Sequence, residues 1–339
     1  MNKFLIDITK NNNSEVKGIG SRRFFRSFYE GIGNIKKKTI YLYGASSKVG
    51  KTTVVDYLHI LVPYIEGYRN IKYYYFAWEI DIEEKMASFC SFFLKYKYDL
   101  EITSDEVLGL ERKLTDKELE LIGKIYNEEL IELFGTYNNQ GKLVTPGIIT
   151  YIEDRMTSEE FKDKLKEISL VHGVYDKDVY VWKDITQHVH ILVDHIGKVS
   201  KGRLMAKQAI DELTDTSVIF RNKCHFTFIL ISQFNRSLGA IDRRGLLSMN
   251  IKPEKSDFKD SSNGAEDCNF LVALFNPLLF NELDKFKINN RIITLRRREE
   301  IEVSAGFRGL YLLEARKKKP FELPFVITNS YSIEDYKTS

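Results

Sequence analysis

The sequence has little cysteine, no long apolar run and almost no net charge. Its three cysteines, Cys90, Cys224 and Cys268, are far apart and form no C-x-x-C pair. This spacing argues against a disulfide framework or a zinc knuckle and favours a reducing compartment. No apolar run reaches the ~18 residues that a membrane-spanning helix requires, and residues 1–16 lack the apolar core of a signal peptide. We therefore expect a cytoplasmic protein without a membrane partner.

The charge balance excludes a global electrostatic field. The net charge is only +3 over 339 residues, so binding to a nucleic acid must depend on local basic patches. Hydrophobic residues make up 43% of the chain and aromatic residues 13%, which allows a substantial core and argues against wholesale disorder. His188 and His190 lie two residues apart on one strand face, without cysteine or carboxylate at ligand spacing. They are interpreted as structural residues.

Residues 41–53 read YLYGASSKVGKTT and resemble a phosphate-binding loop. The strict pattern is Gly, four residues, Gly-Lys and then Ser or Thr. Gly44 stands one place too early, and Ala45 occupies the position of the first glycine. We expect this position to need only a small residue in a tight turn. The predicted nucleotide-binding residues are Gly44, Ala45, Ser46, Ser47, Lys48, Val49, Gly50, Lys51, Thr52 and Thr53.

The chemistry of such a loop explains these residue types. Backbone N–H groups surround an anion, and the N-terminus of a helix adds partial positive charge. Gly50 allows close approach to phosphate, Lys51 supplies charge for the β and γ oxygens, and the Thr52 hydroxyl can hold Mg²⁺. Residues 39–43 read as a buried strand and residues 53–61 as a helix, which is the context that the motif requires.

Three polar residues follow predicted strands and can complete a nucleotide site. Asp194 ends the apolar run 190–194, as expected of the carboxylate on the metal side. Glu79 follows the strand at 71–78 and is the candidate base that polarises the attacking water. Gln233 ends the strand at 226–233 and is a candidate contact for the γ-phosphate. An ordinary surface or capping role stays open for Glu79 and Gln233.

The alternation of strands and helices predicts an α/β fold with a mostly parallel sheet covered on both faces. Further strands are predicted near 189–194, 225–232, 269–275, 291–297 and 309–315, with a long helix over 202–222. We predict an N-terminal arm or linker over residues 1–38 and one domain over 39–330. Within that domain, residues 95–180 are predicted to be a helical insertion, and residues 331–339 a C-terminal tail.

A basic segment that contains glycine follows Gln233. Residues 234–244 include Arg236, Arg243 and Arg244, which are the candidate contacts to a nucleic-acid backbone. Charge runs are most often simply solvated, so that alternative stays open.

The motifs together resemble those of DnaB-type replicative DNA helicases with a RecA-like motor. The similar patches are GASSKVGKT in the loop, WEID at 78–81, ILVDHI at 191–196, ISQFNRSL at 231–238 and SDFKDSSNGAEDCN at 256–269. The resemblance extends over about residues 18–325 and is weak over 95–180. The abundance of Lys, Asn, Ile, Tyr and Phe is typical of an AT-rich genome, as in a virus or a low-GC bacterium. With the resemblance, we expect a phage-encoded protein, which would act in the cytoplasm of its host.

The resemblance implies a RecA-like P-loop NTPase core in a hexameric ring around single-stranded DNA, with ATP and Mg²⁺ between subunits. A primase or a helicase loader is an implied partner. Carried over by position, Lys51 and Thr52 bind phosphate and Mg²⁺, Glu79 is the base, Asp194 is the acid on the metal side, and Gln233 is the γ-phosphate sensor.

The resemblance also implies residues that reach the nucleotide of a neighbouring subunit. They fall in segment 314–320, where Arg316 and Lys318 match a Lys/Arg pair with the two residue types exchanged. Because Arg and Lys differ in geometry, either can be the trans-acting finger. His195 replaces the aromatic residue that usually follows the Walker-B Asp. A globular N-terminal domain, which normally helps to assemble the ring, is not expected here.

These observations support two functions. The first is an ATP-dependent helicase motor that translocates on single-stranded DNA and unwinds duplex at a replication fork. The alternative is a RecA-like DNA-binding ATPase that acts as a loader or as a recombination or replication accessory without unwinding. A DNA-packaging motor is disfavoured because no Glu directly follows Asp194.

Overall fold

Strands and helices alternate along the part of the chain that the computed structural model describes, namely residues 18–138, 142–235, 250–280, 283–297 and 300–336. The α-helices are α1 (Arg26–Ile32), α2 (Lys51–Asp56), α3 (Val62–Ile65), α4 (Ile82–Tyr98), α5 (Ser104–Val107), α6 (Asp116–Ile125), α7 (Ile131–Phe134), α8 (Ser158–His172), α9 (Ala206–Cys224) and α10 (Ser262–Asp267). A π-helical turn, Tyr57–Leu61, joins α2 to α3, and a second, Tyr126–Leu130, joins α6 to α7.

The described strands divide between one large sheet and several hairpins. They are β1 (Ile40–Ala45), β2 (Ile71–Ala77), β3 (Gly135–Tyr137), β4 (Leu143–Pro146), β5 (Ile149–Ile152), β6 (Gly173–Asp176), β7 (Val179–Trp182), β8 (His188–Asp194), β9 (Thr227–Gln233), β10 (Phe270–Phe275), β11 (Lys285–Ile288), β12 (Arg291–Thr294), β13 (Arg296–Arg297), β14 (Glu300–Ile301), β15 (Phe307–Ala315), β16 (Phe321–Ile327) and β17 (Ile333–Asp335).

Nine strands form the central sheet in the order β17-β16-β15-β10-β1-β9-β8-β2-β5. In this order, the six neighbouring strands β10, β1, β9, β8, β2 and β5 are parallel to one another. Strands β15, β16 and β17 extend the sheet beyond β10, and each is antiparallel to its neighbour. Because parallel strands connected through helices bury both faces, the central strands are buried along almost their whole length. The predicted mostly parallel α/β architecture is confirmed.

The two faces of β1 show why this sequence forms a central strand. Successive side chains point to opposite faces, so Tyr41 and Tyr43 pack in one core with helices α2 to α4, whereas Ile40 and Leu42 pack in the other with α8 and α9. All six residues of β1 are buried. A strand buried on both faces holds its position firmly, and the loop that follows it inherits that position.

The segment over 95–180, predicted as a helical insertion, contains short strands as well as helices. Helices alternate there with five strands, β3 to β7, and Ile149–Ile152 joins the central sheet by pairing in parallel with β2. The strands are only three or four residues long, too short for a periodic signal among the charged helices that surround them. The segment therefore supplies an edge of the sheet as well as helices.

The predicted tail and strand at the C-terminal end also need correction. Ile333–Asp335 is a strand that pairs with β16, so the sheet continues into the predicted tail 331–339. The single strand predicted near 291–297 is instead divided between two small hairpins outside the central sheet, β11–β12 and β13–β14.

The described part of the predicted arm, residues 18–38, packs on the domain. Helix α1 buries Phe28, Tyr29 and Ile32, and the Tyr29 hydroxyl donates a 2.6 Å hydrogen bond to the carbonyl oxygen of Leu58. Ile19 forms an isolated antiparallel bridge with Ile35. The described residues of the arm are thus part of the core rather than a linker.

A fully buried ion pair joins the helix after the loop to the helix after β2. The Lys85 Nζ donates to Asp56 Oδ2 at 2.5 Å and to the Tyr75 hydroxyl at 3.0 Å. The Tyr331 hydroxyl donates to the same Asp56 oxygen at 2.6 Å. Lys85 and Asp56 are 1% and 0% exposed, so neither charge has water as an alternative partner.

We expect Lys85→Met to lower the free energy of unfolding by about 3 kcal/mol or more, because loss of one partner leaves the other charge buried and unpaired. Urea denaturation measures this change. The matched control is Lys124→Met, which removes an exposed ion pair with Glu120 and should cost less than about 1 kcal/mol. Equal losses in the two variants would contradict the assigned role of the buried pair.

Candidate nucleotide-binding and hydrolysis site

The candidate site lies where four parallel strands end at one edge of the sheet. The register pairs Ala45 at the end of β1 with Gln233 at the end of β9, and Ala77 at the end of β2 with Asp194 at the end of β8. Ligands bind at this carboxyl edge in open α/β sheets. The predicted residues from four distant parts of the sequence therefore face one region.

The loop after β1 has the backbone of an anion cradle. Lys48 and Gly50 have positive φ angles of 59° and 92°, and α2 begins at Lys51. In the described structure no protein acceptor receives the backbone N–H groups of residues 46–50. Successive free N–H groups before a helix N-terminus are the arrangement that binds phosphate.

Gly44 and Ala45 have a different role from the one expected. Both are the last residues of β1 rather than part of the turn, so the expectation that they form the tight turn is wrong. A Cβ at Gly44 would lie 2.2 Å from Phe258 and 2.6 Å from Phe234. The early glycine is therefore explained by close packing of two aromatic rings on the strand.

Strands β15 and β16 support the loop from the side, which the sequence does not reveal. The Arg308 Nε donates to the Val49 carbonyl oxygen at 3.0 Å, and burial lowers the pKa of Arg308. A Cβ at Gly50 would lie 2.4 Å from Ile327 Cδ1. No local pattern could identify Arg308, because the contact spans 259 residues of sequence.

Lys51 is buried at the start of α2. Its Nζ donates to the carbonyl oxygen of Ser46 at 3.1 Å, at the start of the loop, and to that of Ala45 at 3.4 Å, at the end of β1. Burial lowers its pKa, while the negative charges of Asp194 and Glu79 act in the opposite direction. The ammonium group thus lies inside the loop, within reach of the fields of two carboxylates.

Thr52 and Asp194 join the loop helix to β8. The Thr52 hydroxyl donates to Asp194 Oδ2 at 2.6 Å, and Asp194 is 3% exposed. Burial raises the pKa of Asp194. The positive charge of Lys85 and the hydrogen bond from Thr52 act to lower this pKa, whereas the negative charges of Asp56 and Glu79 raise it further. The two oxygens predicted to face Mg²⁺ are therefore adjacent.

Glu79 lies beside this pair and contacts two basic side chains. Its Oε1 is 3.1 Å from His195 Nε2 and 3.2 Å from Lys198 Nζ. The histidine contact is short but not aligned as a hydrogen bond. Burial lowers the pKa of His195, and the negative charge of Glu79 partly opposes this effect. The lowered pKa favours the neutral form of the ring. The glutamate carboxylate is one-third exposed, so water can reach it.

Gln233 ends β9 next to the loop. It is exposed and lies level with Ala45 in the sheet register, and the Phe234 N–H donates to the Ala45 carbonyl oxygen at 2.9 Å. The structure thus brings Gln233 to the same edge as Lys51, Thr52, Glu79 and Asp194.

Arg316 and Lys318 lie at the opposite end of the sheet from the loop. Ala315 pairs with Phe270, which is level with Tyr41 near the start of β1. At ~3.3 Å per strand residue, Arg316 is about 17 Å from the level of Ala45. Both side chains are exposed. Neither therefore takes part in the site of its own chain.

The local contacts of these two basic residues differ. The Arg316 Nη2 approaches the carbonyl oxygens of Asp267 at 3.3 Å and Glu266 at 3.5 Å. The Lys318 side chain lies against Gly33, where an added Cβ would be 2.8 Å from Lys318 Cε.

The predicted DNA contacts Arg236, Arg243 and Arg244 lie outside the described residues. Along the described chain, no helix has the length and apolar character needed to cross a bilayer.

Of the comparisons with known proteins, the one with solved structures supports the fold. No protein-family model and no curated protein sequence matches the chain. Among solved structures, one ATPase domain is similar with a TM-score of 0.69 and 12% identity, over 99% of this chain and 98% of that chain. A DnaB-like replicative helicase, described with its interactions with primase, is similar with a TM-score of 0.68 and 11% identity, over 98% of this chain and 67% of that chain. The chain thus has the fold of the ATPase domain of DnaB-like replicative helicases.

Proposed function

We propose that this chain is an ATP-dependent DNA helicase motor, which hydrolyses ATP to move along single-stranded DNA and unwind duplex at a replication fork. The observation that carries the proposal is the convergence of Lys51, the Thr52–Asp194 pair, Glu79 and Gln233 at one sheet edge. The fold shared with DnaB-like helicase ATPase domains supports it.

The residues suit ATP with Mg²⁺. The free N–H groups of residues 46–50 can receive phosphate oxygens, and the Lys51 ammonium, now bonded to carbonyl oxygens of its own loop, can turn to the β and γ oxygens. The oxygens of Thr52 and Asp194 are hard donors of the kind that Mg²⁺ prefers. Magnesium bound there would neutralise phosphate charge during transfer.

The protein groups then have separate tasks in hydrolysis. Glu79 accepts the proton of the attacking water, for which it is suited by its place beside Asp194 and its contact with solvent. Gln233 reports the presence of the γ-phosphate to the segment that follows β9. Arg236, Arg243 and Arg244 in that segment are proposed contacts to the backbone of single-stranded DNA.

Assembly into a hexameric ring completes the proposal. Since Arg316 is about 17 Å from the level of its own loop and Lys318 lies in the turn that begins at Arg316, we propose that both act on nucleotide held by the next subunit. A primase or a helicase loader is the proposed further partner.

Lys51→Ala should weaken ATP binding at least about tenfold, because a hydrogen bond to a charged group contributes about 1.5–3 kcal/mol. Titration with a fluorescent ATP analogue measures this affinity. Lys124→Met, an exposed change distant in sequence, should bind like the wild type. Unchanged affinity in Lys51→Ala would exclude the loop as the phosphate site.

Glu79→Gln should keep the ATP affinity of the wild type and lose at least about 100-fold in kcat, because the general base is removed. Steady-state ATPase assays with and without single-stranded DNA measure both effects. Glu83→Gln, an exposed change in the first turn of α4, is the matched control and should hydrolyse normally.

The same assay separates the two functions. A motor coupled to DNA should be strongly stimulated by single-stranded DNA, and the wild type should then unwind a forked duplex. Basal hydrolysis that DNA does not change would instead favour the accessory ATPase. Normal hydrolysis by Glu79→Gln would show that the base is assigned to the wrong residue.

Mixing inactive variants tests action between subunits. The double variant Arg316→Ala, Lys318→Ala has an intact loop, whereas Lys51→Ala has an intact basic pair. Equal mixing should recover activity at about one interface in four, because random assortment in a symmetric ring joins intact elements at that frequency. ATPase activity that stays at the level of the separate variants would contradict action between subunits.

A further inference from the structure

The short segment after Asp194 forms a second set of contacts with Glu79. Residues Ile196–Lys198 form a single 3₁₀ turn, which brings the side chains of His195 and Lys198 to the same carboxylate oxygen, at 3.1 and 3.2 Å. The segment after β8 thus brings two side-chain nitrogens, one of them the ammonium of Lys198, to the Glu79 carboxylate that follows β2. The proposed base is therefore contacted by two groups that the hydrolysis scheme does not use.

His195 is fixed in place by its own turn. Its ring is buried, and its Nδ1 accepts a hydrogen bond of 3.1 Å from the Gly197 N–H. A Cβ at Gly197 would lie 2.9 Å from the ring, so glycine allows the ring to cover the turn. Because Nδ1 is an acceptor, the neutral ring carries its proton on Nε2, which faces Glu79. His195 thus forms a fixed wall beside the carboxylate.

Lys198 is the movable partner. Its side chain is 38% exposed and that of Glu79 is 33% exposed, so the ammonium group can exchange the carboxylate for water. Ion pairs at such exposure are weak and reversible. While the pair persists, the ammonium group occupies one oxygen of the Glu79 carboxylate and holds the side chain towards Lys198, so that oxygen is not free to contact an attacking water.

We propose that Lys198 restrains Glu79 in the resting site, and that hydrolysis requires the ion pair between them to open. The inference rests on the proposed function, since it takes Glu79 to be the base. Lys198 acts through Glu79 and is a positioning residue, not a catalytic one. Its release on binding of single-stranded DNA would link DNA to turnover without a change in nucleotide binding.

The test is the basal ATPase rate of Lys198→Met. Removal of the charge should raise kcat without DNA by about threefold to tenfold and leave KM within about twofold, because the ground-state contacts to nucleotide are unchanged. Stimulation by single-stranded DNA should fall by the same factor. Lys198→Arg, which keeps the charge, should behave like the wild type.

Two controls isolate the ion pair. Lys201→Met removes an exposed lysine three residues further along the chain and should leave kcat unchanged. The double variant Lys198→Met, Glu79→Gln should be as inactive as Glu79→Gln alone, because the restraint has no base to act on. Thermal unfolding of each variant verifies that the fold is retained.

The outcomes distinguish this inference from the proposed function. A wild type without ATPase activity, or normal hydrolysis by Glu79→Gln, overturns the assignment of the base and the restraint with it. If Glu79→Gln is inactive but Lys198→Met has an unchanged or lower kcat, only the restraint is overturned. A rise in kcat that persists in the double variant also overturns it, because Lys198 then acts through another group.

Discussion

The hydrogen bond between Thr52 and Asp194 is the contact on which the site depends. It joins the first turn of α2 to the last residue of β8, two elements that are separated by 142 residues of sequence. Asp194 ends the buried strand β8, and Thr52 lies in the helix that follows the buried strand β1, so their positions follow from the packing of the sheet. The loop directly precedes Thr52, and Glu79 contacts His195, the residue after Asp194, so both lie next to this hydrogen bond.

A buried cluster of Asp56, Lys85 and Tyr331 lies near that contact. Asp56 ends α2, Lys85 lies in α4, and the Tyr331 hydroxyl comes from the segment before the last strand. The charge of Lys85 also acts on Asp194, whose pKa it helps to lower against the effect of burial. The carboxyl edge of the sheet and the segment before the last strand therefore meet at one buried charged cluster.

Sequence patterns predicted those features of the molecule that depend on residues close together in the sequence. The apolar runs before Gly44, Glu79, Asp194 and Gln233 are strands of the central sheet, and their parallel register brings the following residues to one edge. Short strands such as Ile149–Ile152 were missed, because four residues among charged helices carry little periodic signal. The packing role of Gly44 and the contact of Arg308 with the loop depend on residues remote in sequence, and composition and spacing contain no trace of them.

The distance between the phosphate loop and the Arg316–Lys318 end has a consequence for assembly. If Arg316 and Lys318 act on a neighbouring copy as proposed, copies of the chain would associate head to tail, and each copy would then offer the next an unused edge. Such a contact closes into a ring only when the rotation per copy divides a full turn; any other rotation yields a helical filament. In an assembly of the proposed kind, the subunit interface would therefore set how many of the proposed sites are complete at one time, and an open end would leave one of them without its partner.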